Sequence, residues 1–559
     1  MTSLASYIKL ALVYNLKSML MKFLRPYRIA ILVFILIAFL FRIPVLKVRY
    51  FDPDEFQHLH GARQIYHGDI PYRDYFDHHT PFLHFILATL YPIFGEEIQI
   101  LFAARILMMV FTAVILFLTF ILARQLYGTD AGLVSVLFLS YVLIFFEKTI
   151  EIRPDILAVA FWLASMIFAV KGIQNGNLRR WHALSGLSMG IAIMFTQKSL
   201  FGLPGLICAL MLPFIDRRTY IPRKQNLKLL ISFLTGIIVP IFLTCLFFAI
   251  HNALWQFINC NFIMNSNWKV RFSPYGYVMQ MIRQNPFFPV LGLAGLLVAT
   301  ALIYKEVRSG CFVPIFCTYS LIAGLFIMPV PYRQYYLLFL PMLAMYSAFI
   351  LKTASDLKIR QLIGKKILLI IVLLVTVLIV IGLFYTIRIS KPGVPHFRDL
   401  LHLTKLGGIG PSAIYLIFWA VSIILAVVFR RNYGILLFSI VIIIHPLDQM
   451  INCHERNDGQ LADIQYIMST TSPTDAVLDG WSGYGFLRPH AYYYYFLHSE
   501  MRAMLNEKEL TDDLIDSAER NNTKIVIYDS DMRALPQKTQ EYINSNYVPT
   551  GQGNLYIRR

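Results

Sequence analysis

Charge is scarce in this sequence: of 559 residues only 15% are Asp, Glu, Lys or Arg, while 57% are hydrophobic. The mean hydropathy of +0.59 lies outside the range of soluble globular chains and places the protein in a bilayer. Cysteine is scarce too. Cys208, Cys245, Cys260, Cys311, Cys317 and Cys453 show no paired spacing, so neither a disulfide framework nor a zinc module follows. The chain has no glycine loop of the kind that cradles nucleotide phosphates, no internal repeat and no low-complexity linker. Acids are outnumbered, 32 against 50 basic residues, for a formal charge of +18. Nucleic acid is not the implied partner, because the basic residues sit in short clusters between apolar runs, where inner loops need them.

A spanning helix needs about 20 apolar residues, and Lys and Arg accumulate in inner loops. Residues 1–28 carry basic side chains but no small-residue cleavage site, so a cytoplasmic amphipathic segment is expected rather than a removed leader. The transmembrane part is expected over 29–451. Its spans are 29–46, 98–122, 131–146, 156–170, 183–196, 200–215, 229–250, 287–304, 312–328, 335–351, 367–385, 413–429 and 433–444, about thirteen helices in all. Residues 81–94 are apolar but short, and reading them as a surface helix puts every basic cluster on one side. The loop 47–97 is then external. From 452 to 559 the composition is that of a soluble chain, with helices at 461–469 and 512–520 and strands at 476–478 and 524–528, predicting a small external α/β domain.

Loop 47–97 concentrates Asp52, Asp54, Glu55, Asp69, Asp74 and Asp77 with His58, His60, His67, His78 and His79. One reading is a solvated loop whose acids pair with Arg63 and Arg73; the other is a general base at the membrane boundary, taking a proton from an acceptor hydroxyl. Asp155 follows Arg153 and Pro154 at the outer end of a span, where it serves as a helix N-cap, a catalytic acid, or both. At the same level stand Lys198, Arg333 and the pair Lys269 and Arg271. A cation in apolar surroundings either snorkels to the interface or faces a polar cavity, and there a lipid phosphate is the natural partner. Asp77, His78 and His79 are ligand types for a divalent metal ion. The tyrosines of the run 491–496 either stack on sugar rings or pack the C-terminal domain onto the membrane interface.

The segments Asp52-Pro53-Asp54-Glu55-Phe56 and Gly68-Asp69-Ile70-Pro71-Tyr72-Arg73-Asp74-Tyr75-Phe76-Asp77-His78-His79 after a first span resemble the glycosyltransferase C superfamily. The similarity is to its branch of protein O-mannosyltransferases and the lipid A aminoarabinose transferase. Leu122-Ala123-Arg124-Gln125-Leu126-Tyr127-Gly128, Arg153-Pro154-Asp155, Thr196-Gln197-Lys198 and Arg333-Gln334-Tyr335-Tyr336 follow in the expected order. The resemblance implies a polytopic α-helical fold with catalytic acids at Asp54 and Asp155, with Glu55 beside the first. It implies donor-phosphate contacts at Lys198 and Arg333, with Arg153 and Tyr336 in the same motifs. The sequence departs from the aminoarabinose branch at Asp77-His78-His79-Thr80-Pro81-Phe82, where that branch has Glu-Lys-Pro-Pro-Leu.

The expected activity is inverting transfer of a sugar from a polyprenyl-phosphate donor to a glycan, lipid or protein acceptor on the outer face of the membrane. No cofactor is required by this reading, and a divalent metal at Asp77 and His78 is optional. The rival is a polytopic transporter or lipid flippase, which would carry repeats and midplane polar groups.

Overall fold

The computed structural model describes residues 26–175, 179–215, 223–285, 287–303, 310–355 and 455–559. Nearly all of the expected N-terminal segment and the expected spans 367–385, 413–429 and 433–444 lie outside the described residues.

The first span is a pair of helices, α1 (Pro26–Leu40) and α2 (Arg42–Val48). After it, α3 (Pro53–Tyr66), α4 (Phe82–Ala88) and α5 (Tyr91–Phe94) form the first loop. The last two have 7 and 4 residues, about 10 and 6 Å of helix, each shorter than a hydrocarbon core of about 30 Å. Gly95, with φ 68°, ends α5 in a conformation that glycine adopts without strain.

The expected spans then appear as α6 (Gln99–Tyr127), α7 (Thr129–Ser140) with α8 (Leu143–Lys148), α9 (Pro154–Gln174), α10 (Arg179–Phe195), α11 (Leu203–Ile215) and α12 (Arg223–Ile250). Beyond a loop with the short helices α13 (Leu254–Ile258) and α14 (Tyr275–Gln284) come α15 (Phe287–Ala301), α16 (Phe312–Ile327) and α17 (Leu340–Ser355). Among the described residues, four segments, Tyr27–Val48, Gln99–Tyr127, Pro154–Gln174 and Leu227–Ile250, are long and apolar enough to cross a bilayer by themselves. Helices α10 and α12 pack backbone to backbone. A Cβ on Gly186 would lie 1.9 Å from the Phe233 carbonyl oxygen, and one on Gly236 would lie 2.3 Å from that of Ala183. Small residues permit this approach where no hydrophobic effect drives helices together.

Residues 455–559 form an α/β unit of α18 (Asp458–Thr470), α19 (Asp512–Arg520), α20 (Gln537–Asn546) and four strands, β1 (Val477–Asp479), β2 (Ile525–Ile527), β3 (Tyr547–Pro549) and β4 (Leu555–Arg558). The strand order is β1-β2-β4-β3, with β1 and β2 parallel in the register Val477 to Ile525 and the other pairs antiparallel. The strands β1 and β2 are buried throughout, which is why Val477-Leu478 and Ile525-Val526-Ile527 read as apolar runs, while β1 ends on the buried Asp479. The sequence reading missed β3 and β4, which are short and lie at or near the edge.

The unit is seated on the first loop. Phe51 and Gln460 exchange two hydrogen bonds, 2.7 and 2.9 Å, and the Phe76 N–H donates to the Tyr493 carbonyl at 2.9 Å. Tyr495 stacks on His60 with 3.9 Å between centroids. The tyrosine run therefore packs the unit against the first loop.

Two buried acids hold the turn after β1. The Ser482 hydroxyl donates to Asp479 at 3.0 Å, and Asp529 accepts the N–H groups of Trp481 and Ser482 at 2.8 and 3.0 Å. Burial, and then the neighbouring Asp529 charge, push the Asp479 carboxyl up to about 7, against about 3.9 in an unfolded chain. A raised acid pKa favours the folded state in its protonated form, so this contribution is complete below about pH 4 and is lost as pH rises to about 7. Melting temperatures at pH 5 and pH 8 are expected to show a larger drop in the parent than in Asp479→Asn; identical drops would refute the assignment.

Candidate active site

The start of α3 is set by its own sequence. The Asp52 side chain accepts the Asp54 N–H at 3.2 Å, Pro53 occupies the first helical position, and the Glu55 carboxylate reaches back to the Asp52 N–H at 3.0 Å, which makes a capping box. Asp54 and His58, four residues apart and so on one helix face, both line a cavity of about 850 Å³. Glu55 is rotated away from it and fully buried. It takes Arg105 Nε and Nη2 at 2.8 and 2.7 Å and the Ile152 N–H at 3.1 Å. This geometry corrects the expectation for Glu55: it is a structural partner of Arg105 and does not border the cavity.

The second acidic stretch converges on the first through Arg153. Its guanidinium lies 2.9 Å from Asp52, 2.5 Å from Asp54 and within bonding distance of Glu151. Lys148 joins the network to Asp52 at 3.3 Å and to Glu151 at 2.8 Å. The expected phosphate contact Arg153 is therefore engaged with carboxylates, and its side chain is only 3% exposed. Burial acts to raise the Asp54 pKa, but Arg153, His79 and Lys148 outweigh it and hold the carboxyl below the usual range.

Arg153 is also the N-cap residue of α9, with extended backbone and no side-chain cap bond. Asp155 thus stands in the first turn, where the helix dipole favours a carboxylate, and is not itself the cap. It lines the cavity and accepts Lys198 Nζ at 3.2 Å. Lys198 lies in turn 3.8 Å above the Tyr335 ring. Arg333 pairs with Glu147 at 2.7 Å, and both Lys198 and Arg333 border the cavity. Tyr336, expected beside them, faces elsewhere: its hydroxyl donates to the Pro274 carbonyl at 3.0 Å and the residue is fully buried. Its neighbour Tyr335 has the cavity position.

Of the pair Lys269 and Arg271, only Arg271 lines the cavity. Among the described residues it forms no ion pair with a carboxylate, unlike Lys148, Arg153, Lys198 and Arg333. Sequence spacing could not separate it from Lys269. Arg105 was also missed, although a lone arginine inside an apolar run is itself a signal that a buried partner exists.

Asp77 and its histidines form a buried cluster behind Asp54. Asp77 Oδ1 accepts the His79 N–H at 2.7 Å and lies 3.0 Å from His79 Nδ1, while His58 Nδ1 and His84 Nε2 are 3.0 Å apart. Burial pushes the imidazoles of His58, His78 and His84 down, leaving neutral rings. One ligand atom from each of Asp77, His78 and His79 lies within 4.8 Å of the others, so this donor set fits a divalent ion that prefers imidazole and carboxylate.

A model of the family described as dolichyl-phosphate-mannose-protein mannosyltransferase matches residues 78–264, a third of the chain. No curated protein matches the sequence. Among solved structures, the fold is similar to ArnT from Cupriavidus metallidurans bound to undecaprenyl phosphate, with TM-score 0.60 and 12% identity over 94% of this chain and 97% of that one. The apo state of the same protein has TM-score 0.60 and 13% identity over 94% and 96%. The archaeal oligosaccharyltransferase AglB from Archaeoglobus fulgidus, in complex with an inhibitory peptide and a dolichol-phosphate, has TM-score 0.50 and 12% identity over 95% of this chain and 74% of that one.

Proposed function

We propose, on the premise that this integral membrane protein has the glycosyltransferase C fold, that it transfers a sugar from a polyprenyl-phosphate donor to a glycan, lipid or protein acceptor at the outer membrane face. The observation that carries this reading is one cavity bordered by carboxylates from two separate segments, Asp52 and Asp54 at the start of α3 and Asp155 in the first turn of α9, and by the cations Lys198, Arg271 and Arg333. The lipid phosphates held by the two structural neighbours support the donor class.

In this mechanism the acceptor oxygen attacks the anomeric carbon as the carbon–oxygen bond to phosphate breaks. The bonding pair leaves with the phosphate, and the acceptor proton passes to Asp54. Arg153 keeps that carboxylate anionic and fixed in orientation before the proton arrives. Lys198 and Arg333 exchange part of their bonding to Asp155 and Glu147 for the departing phosphate, offsetting its charge. Arg271, with no carboxylate to give up, is the first contact for the incoming lipid phosphate. Attack from the face opposite the phosphate inverts the anomeric centre. A divalent ion held by Asp77, His78 and His79 would supply Lewis acidity and rigidity next to Asp54; the residues above act without it in this scheme.

Binding of a polyprenyl phosphate to the purified full chain tests the reading. Arg271→Gln and Lys198→Met are each expected to weaken it roughly tenfold or more, the scale of one lost charge-assisted hydrogen bond. Arg271 is exposed, so its variant folds as the parent does. Unchanged affinity in both would remove the phosphate site.

A further inference from the structure

Four polar atoms of cavity-lining residues have no partner among the described residues: Arg333 Nε, on a residue already assigned to the donor phosphate, and Gln197 Oε1, Asn261 Oδ1 and Trp268 Nε1. The orientation of the two amides follows from their nitrogens, since Gln197 Nε2 donates to the His78 carbonyl at 2.9 Å and Asn261 Nδ2 to the Phe257 carbonyl at 3.0 Å. Their oxygens are therefore acceptors awaiting a donor, while the indole N–H awaits an acceptor. Asn261 is fully buried and Trp268 is 6% exposed, and buried polar groups are nearly always satisfied by something. A sugar phosphodiester cannot satisfy the two amide oxygens through its phosphate, because a phosphodiester anion offers acceptors alone. Hydroxyl groups offer both functions.

The same stretch of the cavity is walled by rings. Trp481 and His498, both from the C-terminal unit, meet at 4.5 Å between centroids and 74° between planes, and Trp268 lies 6.4 Å from His498. Aromatic faces take the apolar C–H side of a ring whose edge carries hydroxyls. The unit is also tied to the phosphate end of the cavity. Glu500 lies 2.9 Å from His498 Nδ1 and accepts the Tyr332 hydroxyl at 2.8 Å, and Tyr332 directly precedes Arg333.

We infer that Gln197, Asn261 and Trp268, with the ring faces of Trp481 and His498, form a subsite for a polyhydroxylated sugar ring, so that the C-terminal unit reads the sugar. This rests on the proposed transferase function for the identity of the lipid-linked ligand. The ring belongs either to the donor or to a glycan acceptor, and one experiment with two arms separates them.

The full chain in detergent is titrated with a polyprenyl phosphate and with the same lipid phosphate bearing one hexose or one pentose. In the second arm, methyl glycosides of the same sugars are added at saturating polyprenyl phosphate. The parent is expected to bind a glycosylated lipid at least about fivefold more tightly than the bare one, the worth of one or two net hydrogen bonds. Trp268→Phe, which keeps a ring but removes the N–H, and Trp481→Ala are each expected to erase most of that increment and leave bare polyprenyl phosphate affinity unchanged. An increment that survives in both variants while methyl glycoside binding is lost assigns the subsite to the acceptor. The inference is overturned if both variants retain both signals, or if the parent shows neither. Failure of the parent to bind any polyprenyl phosphate defeats the proposed function instead, and the methyl glycoside arm still reads the subsite.

Discussion

Asp54→Asn is expected to lower the rate of sugar transfer by roughly two to four orders of magnitude, the span associated with loss of a positioned general base. The amide keeps the side-chain shape and an oxygen for Arg153, which lies 2.5 Å from the carboxylate, but cannot take a proton. Binding of polyprenyl phosphate should persist, because Lys198, Arg271 and Arg333 are untouched. Asp52→Asn should cost less: Asn caps a helix about as well as Asp, and the cap of α3 is one of the tasks that Asp52 performs. Asp155→Asn should fall between the two, through the loss of its ion pair with Lys198. The measurement is initial rate with a purified polyprenyl-phosphate sugar, beside melting in detergent. A folded Asp54→Asn protein that transfers at the parental rate would sink the assignment and move it to Asp52.

Glu55→Ala is expected to destabilise the protein by about 3–5 kcal/mol, because it strands the Arg105 charge in a buried site. Both side chains are 0% exposed, and the carboxylate also accepts the N–H groups of Asp52 and Ile152, so one substitution loosens the cap of α3 and the approach to α9 together. Replacing both partners at once, Glu55→Leu with Arg105→Met, should recover a large part of the loss, since no unpaired charge remains. Thermal unfolding of the three variants reads this directly. A single Glu55→Ala variant with the parental melting temperature would show that the pair is not structural.

Most of the membrane architecture within the described residues was legible because its signal is long-range and redundant. The spans 98–122, 156–170 and 229–250 are apolar over their whole length and are seen as α6, α9 and α12. The break between α7 and α8 was not legible, since 131–146 is continuously apolar while its helix is interrupted at Tyr141–Val142. In the C-terminal unit, α19 matched its amphipathic signal from Asp512 to Arg520, whereas β3 and β4, three and four residues long, are too short to show a period. At the site, Asp54, Asp155, Lys198 and Arg333 could be named from their surroundings and from family resemblance. Which neighbour turns inward could not be. Glu55 against Asp54, Tyr336 against Tyr335 and Lys269 against Arg271 differ by one or two positions in sequence, and only the local helix phase or loop path decides among them.

The bond between Phe51 and Gln460 joins residues 409 positions apart, and that distance is also an interval of time. At a typical synthesis speed, roughly 20 to 80 seconds pass between the emergence of the first acidic loop and of the segment that seats on it. Asp52 and Asp54 are made first, their partners Lys148 and Arg153 follow 96 and 99 residues later, and the wall bearing Trp481 and His498 leaves the ribosome last. On the proposed function, the site is therefore complete only when the C-terminal unit docks. On the same reading, a chain whose translation stops before that unit carries the acids and the cations assigned to the phosphate but lacks the wall assigned to the sugar.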